Sequence, residues 1–385
     1  MLGLALEGGG AKGSYHAGAV KAFCERGITF EGVAGTSIGA VNAAIIAQGE
    51  PEKLIAWWEE LAPSHLFDLT DEEIRKFFLK QHDKKSIKHL IKFLGSGIVQ
   101  GGLSPAGFLA LIKEIIDEDK LRESPIDFCL VTMSLTDKMP LELFKEDIPY
   151  GMLHEYILAS AYFPAFKLNA LNNGKRYIDG GLYNNLPIVP LARRGYDEIY
   201  AVRTMSNMPH IPIIDDTVKV HYVIPTDSVG NTFSLTPERV KNNMNMGYWD
   251  TKRVLYGYLG EQFYIESLTD EEFCLLLNSF SDTMIEKIMN RLDLQTDNKW
   301  EVYDAFFNVI TKQLKLEITL TEKEKFILLL DKFSRKTGLD RYKLRTLTGF
   351  LEDLRNYYGA NAEPTSILPR LSEELYCLVI NHYKD

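Results

Sequence analysis

Three short blocks of the 385-residue chain place side chains that could together carry out acyl transfer. Gly35-Thr36-Ser37-Ile38-Gly39 fits G-x-S-x-G, with an apolar run before it and a small-residue run after it. A sharp strand-to-helix turn at this spacing holds the Ser37 hydroxyl above a sheet, and Gly35 and Gly39 keep colliding side chains away. The helix that follows also points N–H groups and a partial positive charge at the hydroxyl. The pentapeptide alone recurs by chance, so a tight turn with an incidental serine competes with an activated nucleophile.

The second block, Gly8-Gly9-Gly10-Ala11-Lys12-Gly13, follows the first apolar run. Acyl transfer develops negative charge on one oxygen, and preorganised backbone N–H groups stabilise it. Glycines let the chain come close enough to supply them. Gly8, Gly9, Gly10, Lys12 and Gly13 are therefore read as an oxyanion loop. The block also matches G-x-G-x-x-G, the dinucleotide fingerprint, but such a site wants an acidic residue ending the second strand. Glu31 begins that strand, and Ser37 follows its end. A Walker loop is excluded because glycine follows Lys12. Lys12 is read as a solvated charge, with a lipid phosphate as its functional alternative. The third block is Asp179-Gly180-Gly181; alone it is an ordinary turn.

The elements that must position these residues follow from pattern. Residues 2–6 read as a strand, and Ser14 as the cap of a helix over 15–24 that Gly27 stops. Residues 30–34 read as a second strand, and 40–48 as a helix ended by Gly49. That alternation predicts a mostly parallel sheet with helices on its faces. Helices are expected over 51–61, 70–80, 105–118, 152–161 and 237–258. Strands are expected over 128–133, 176–178, 198–203 and 219–224. Beyond about residue 265 amphipathic windows dominate, at 271–280, 284–292, 301–314, 322–333, 344–357 and 371–383. The expected division is a hydrolase-like domain over 1–265 and a helical region over 266–385.

Composition bounds the function. A formal charge of −10 argues against a general nucleic-acid binder. No run of about 18 apolar residues exists, and the amino terminus lacks the pattern of a secretory signal. Cys24, Cys129, Cys274 and Cys377 are scattered, which reads as buried thiols without a disulfide frame or zinc site. These features predict a cytoplasmic protein.

The three blocks, in their order, resemble the bacterial type of the patatin-like phospholipase family. Ala159-Ser160-Ala161-Tyr162-Phe163-Pro164 and Asn185-Leu186-Pro187 are similar to the family's flanking segments. The resemblance spans roughly residues 2–205. It implies a three-layer α/β/α sandwich with a mostly parallel central sheet, the helical region being appended. It also implies a Ser–Asp dyad of Ser37 and Asp179, amides near Gly9 and Gly10 as the oxyanion hole, and Gly180 and Gly181 completing the acid's motif. The implied substrate is a phospholipid or other acyl-ester lipid, hydrolysed with no metal and no cofactor.

An aspartate can replace histidine as the base if burial raises its proton affinity and its hydrogen bond to serine is direct. A triad with His16, His210, His221 or His382 as base remains the alternative. So does a catalytically silent module on the same fold. The acidic cluster Asp68, Asp71, Glu72 and Glu73 and the pair Asp215-Asp216 read as solvated caps or turns. The basic run from Lys84 to Lys92 reads first as an exposed helix face, then as a membrane contact. Of Trp57 and Trp58, one is expected in the core and one could face lipid. Oligomeric state has no sequence signal.

Overall fold

The computed structural model describes residues 1–61, 105–162, 170–205, 208–213, 216–232, 235–335, 337–358 and 370–381. The expected helix at 70–80, the cluster Asp68–Glu73, Asp215, the Lys84–Lys92 run and His382 lie outside these residues. Two compact units are present, Met1–Val254 and Leu255–Asp385.

The first unit is built on a seven-stranded sheet. Its strands are β1 (Leu2–Leu6), β2 (Gly32–Thr36), β3 (Asp127–Ser134), β4 (Met139–Phe144), β5 (Tyr177–Asp179), β6 (Glu198–Val202) and β7 (Lys219–Val223). β3, β2, β1, β6 and β7 lie side by side and parallel. β4 and β5 both run antiparallel to β3. β1 and β2 are short runs of Gly, Ala, Leu and Val because helices cover both of their faces. The helices are α1 (Ser14–Glu25), α2 (Ile38–Ala47), α3 (Pro51–Glu60), α4 (Ala106–Ile115), α5 (Glu118–Glu123), α6 (Leu153–Ser160), α7 (Ile188–Arg193) and α8 (Pro237–Tyr256). Alternate strand residues Ala5, Ala34, Cys129, Ile199 and Ala201 pack with Leu186, Ile188, Leu191 and Tyr196 around α7. α2 packs on β2 and β3. The unit is an α/β/α sandwich.

Several expectations are corrected. β2 runs through Gly35 and Thr36, and α2 starts at Ile38, so only Ser37 separates strand from helix. The pentapeptide is the sharp strand-to-helix turn that its spacing predicts, with the strand and the helix each reaching further into it than expected. Ser14 is the first residue of α1 and not its cap; its hydroxyl donates back to the Ala11 carbonyl (2.9 Å). β4 and α5 had no clear signal: β4 is a partly exposed strand at the sheet edge, and α5 is six residues long. Both tryptophans are buried, Trp57 included. Cys129 and Cys377 are buried as expected, whereas Cys274 is exposed and Cys24 half-buried; all four thiols are free.

The second unit consists of α9 (Asp270–Asn278), α10 (Asp282–Leu292), α11 (Lys299–Leu314), α12 (Glu322–Ser334), α13 (Leu347–Tyr358) and α14 (Arg370–Asn381). A two-stranded parallel pair, β8 (Tyr264–Ile265) with β9 (Leu344–Arg345), joins them and is too short to show any alternation. Thr269 with Glu272 and Thr321 with Glu324 form reciprocal capping boxes that fix where α9 and α12 begin. A buried core including Phe263, Phe306, Phe326, Phe350 and Leu375 lies among these helices.

Candidate active site

β3 brings Ser37 and Asp179 together. It pairs with β2 through residues 127–131, so Thr36 lies opposite Val131. It pairs with β5 from residue 132 onward, so Asp179 lies opposite Thr132. β4 pairs with residues 129–134 and overlaps both registers, which leaves β2 and β5 on the other edge of β3. The carboxyl-terminal ends of β2 and β5 therefore meet at adjacent residues of a common neighbour. Ser37 Oγ donates to Asp179 Oδ2 at 2.7 Å.

Ser37 sits at φ 56°, ψ −128°, a backbone state that costs an L-residue of order 1–3 kcal/mol. Its glycine neighbours leave no room for side chains. A Cβ at Gly35 would lie 2.1 Å from the Gly39 carbonyl oxygen, and one at Gly39 would lie 2.4 Å from that of Leu6. The two glycines are needed for backbone contact rather than for a left-handed turn. The Ser37 carbonyl accepts from Ala40 N (2.9 Å) to start α2, while its N–H donates to Ser160 Oγ at 3.0 Å.

Asp179 is 7% exposed, and both of its oxygens are engaged. Oδ1 accepts from the Gly181 N–H at 2.8 Å, and Oδ2 accepts from Ser37. Burial pushes its proton affinity up to about 6; the bonds from Gly181 and Ser37 pull in the opposite direction. The aspartate is thus a stronger base than an exposed one, yet ionised at neutral pH. Gly180 fits this corner because a Cβ there would lie 2.1 Å from the Val131 carbonyl oxygen.

The glycine loop does not act as one set of donors. The Gly8 N–H donates to the Asn185 carbonyl (3.0 Å), the Ala11 N–H to that of Thr232 (2.7 Å), and the Lys12 N–H to that of Gly9 (3.4 Å). A Cβ on Gly13 would meet Trp58 and Ile38 within 3.0 Å, so this glycine permits packing. Among the described residues, none of these bonds engages the N–H of Gly9 or Gly10. Gly10 has φ +59°, and a Cβ there would lie 2.4 Å from the Thr232 carbonyl oxygen. Gly8 also approaches the serine: a Cβ on it would lie 3.1 Å from Ser37 Cβ. The Lys12 amine is half-buried, and burial lowers its pKa, opposed by Glu7.

Residues that no motif signalled brace this loop. The Gly8 carbonyl accepts from Thr204 Oγ1 (2.6 Å) and Asn185 Nδ2 (3.3 Å). Buried Glu7 accepts from the Thr204 N–H at 2.5 Å. Asn184 accepts from Thr36 Oγ1 through its carbonyl (2.9 Å) and donates to Glu142 (3.1 Å). Asn185 was legible only as a flanking residue; Glu7 and Thr204 carried no signal.

The histidines lie elsewhere. His16 is fully buried, and burial drives its pKa down to about 3; its Nδ1 faces Asn42 Nδ2 at 3.1 Å. His221 stacks on Tyr200 and bonds Glu198 through Nε2 (2.8 Å). His210 is exposed. None of these three bonds to Ser37. Among the described residues no group of three or more His, Cys, Asp or Glu could hold a metal ion.

Residues 4–192 match the family model described as patatin-like phospholipase. This part of the chain belongs to the patatin-like phospholipase superfamily. An uncharacterized NTE family protein of Mycobacterium tuberculosis is 25% identical over 201 residues, covering 52% of this chain and 48% of its own. Lysophospholipase NTE1 of Saccharomyces cerevisiae is 26% identical over 212 residues, 55% of this chain and 11% of that protein. The chain thus spans about half the length of the mycobacterial relatives it matches and about a tenth of the yeast one. Among solved structures, VipD from Legionella pneumophila aligns with a TM-score of 0.40 and 15% identity, covering 99% of this chain and 90% of that one. The activity of the patatin-like superfamily is lipid acyl-ester hydrolysis by a Ser–Asp mechanism.

Proposed function

We propose that this chain is a lipid acyl hydrolase of the phospholipase A or lysophospholipase type, with Ser37 as nucleophile and Asp179 as general base. The 2.7 Å bond between Ser37 Oγ and Asp179 Oδ2 carries this reading. Ser37 Oγ attacks the ester carbonyl carbon while its proton passes to Asp179. The N–H groups of Gly9 and Gly10 receive the charge on the carbonyl oxygen, with the α1 terminus behind them. Collapse breaks the acyl C–O bond, and Asp179 returns the proton to the leaving alcohol. Water then attacks the acyl-serine, Asp179 takes its proton, and fatty acid departs as Ser37 is reprotonated. The match to a protein named a lysophospholipase favours a lysophospholipid among first substrates. A cytoplasmic protein acting at a lipid surface belongs to the same proposal. Purified wild type, Ser37→Ala and Asp179→Asn are compared on a p-nitrophenyl acyl ester and a lysophospholipid. Wild-type turnover with loss of at least about a thousandfold in each variant is expected. Background-level wild-type turnover, or a variant that keeps activity, overturns the proposal.

A further inference from the structure

The nucleophile's backbone N–H has an unusual position. Pairing of β2 with β3 ends at Thr36, and α2 begins at Ile38, so Ser37 belongs to neither hydrogen-bond ladder on its amide side. A buried N–H left without an acceptor is costly, and here it sits on a residue whose φ is already unfavourable. Its acceptor is the hydroxyl of Ser160, which is fully buried at the end of α6 and 123 residues away in sequence. A side chain that satisfies the amide also fixes the peptide plane that aims Ser37 Oγ.

The same end of α6 also holds Asp179. The Asp179 N–H donates to the Tyr162 carbonyl at 3.1 Å. Thr132 Oγ1 lies 3.0 Å from the Ala159 carbonyl oxygen and 3.1 Å from that of Ile178, joining α6 to β5. Ser160 and Tyr162 therefore contact the two halves of the dyad directly, and Ala159 reaches β5 through Thr132. Of these contacts, only the one to Ser37 depends on a side chain of the segment. It is the contact a substitution can remove while leaving the others.

From this arrangement we infer that Ser160 is a positioning residue for the reaction, its hydroxyl holding the Ser37 amide so that nucleophile and base stay in register through attack. The inference rests on the Ser37–Asp179 reading above. Removing the hydroxyl frees the Ser37 peptide to rotate toward ordinary backbone angles and moves Oγ by a fraction of an ångström. Misplacement on that scale costs about ten- to a hundredfold in rate. Ser160 is fully buried behind Ser37, away from any bound substrate's reach, so the loss is expected in kcat.

The test uses the full chain with Ser160→Ala, and Ser160→Cys as a near-isosteric variant with a weak acceptor. Hydrolysis of a p-nitrophenyl acyl ester, the rate of labelling by a fluorophosphonate, and the thermal midpoint are measured. The expected result in each folded variant is kcat down about ten- to a hundredfold, KM within about threefold, and labelling slowed in parallel. If the alanine variant does not fold, the cysteine variant decides. A folded variant with kcat within about twofold of wild type overturns the inference. So does a loss that appears in KM alone, or loss of folding in both variants, which would make Ser160 a purely structural residue. Wild-type protein that neither turns over nor labels instead overturns the Ser37–Asp179 reading, so the two failures are distinct.

Discussion

As the proposed base, Asp179 is caught between two demands, since a base must be hungry for a proton and still unprotonated when needed. Burial raises its proton affinity to about 6, while the Gly181 N–H and the Ser37 hydroxyl keep it from rising further. Hydrolysis needs the ionised carboxylate, so kcat/KM is expected to fall about tenfold per pH unit below about 6; a pH–rate profile checks this. The stability effect has the opposite sense. A carboxyl whose folded pKa lies above its unfolded one stabilises the fold fully below about 4, and that contribution is lost as pH rises through about 6. Asp179→Asn removes the buried charge while keeping its amide oxygen as acceptor for the Gly181 N–H and turning its amide N–H toward Ser37 Oγ. It should therefore stabilise the protein by about 2–3 kcal/mol at pH 8 and by little at pH 4, although it ends hydrolysis. Urea titrations at the two pH values measure the difference, and equal midpoints at pH 8 would contradict the charge argument.

At the scale of elements, close backbone contact decides which segments can meet. α1 leaves the glycine loop and crosses α8 at two glycines. A Cβ on Gly18 would lie 1.9 Å from the Met244 carbonyl oxygen, and one on Gly247 would lie 2.0 Å from that of Tyr15. Around this crossing Tyr15 Oη donates to Asp250 (2.9 Å) and Asn243 Nδ2 to Ser14 Oγ (3.1 Å). The helix that starts at the candidate oxyanion loop is thus fixed by a contact that tolerates no side chain. Gly247→Ala should cost about 1–3 kcal/mol or more, because the obstruction is backbone and cannot swing away. Chemical denaturation of the variant measures it, and a wild-type midpoint would show that the helices separate freely. Neither glycine advertised this role in the sequence, since a lone glycine in a helical pattern looks the same whether or not a neighbour presses on it.

At the scale of the whole chain, residues 255–385 carry a core of their own. Phe263, Phe306, Phe326, Phe350 and Leu375 are all at most 3% exposed within that unit. Buried Asp331 receives the N–H groups of Glu261, Gln262 and Phe263 at 2.8–2.9 Å and fixes the turn at Gly260. A unit of this size buries enough apolar surface to fold alone. A fragment of residues 255–385 is expected to show helical circular dichroism and a cooperative thermal transition. A broad, non-cooperative melt would show that its core depends on the rest of the chain.

The sequence by itself determined most strands and helices of the first unit, though not β4, α5 or α7, the position of Ser37 at a strand–helix junction, and the helical windows of the second. These are local properties: periodicity, glycine placement and capping chemistry are visible within a few residues. It also marked Asp179, but only through a resemblance, because Asp-Gly-Gly alone is any turn. Tertiary structure decided which residues meet. Ser37 and Asp179 are 142 positions apart, Ser37 and Ser160 are 123, and Gly8 and Asn185 are 177. A single hydrogen bond across such distances leaves no periodic trace, and its geometry exists only once β3 has paired with β2 and β5. The same holds for the division of labour in the glycine loop. The resemblance points to amides near Gly9 and Gly10, but only the fold shows that the Gly8 amide is already bonded to the Asn185 carbonyl and has nothing left for an oxyanion.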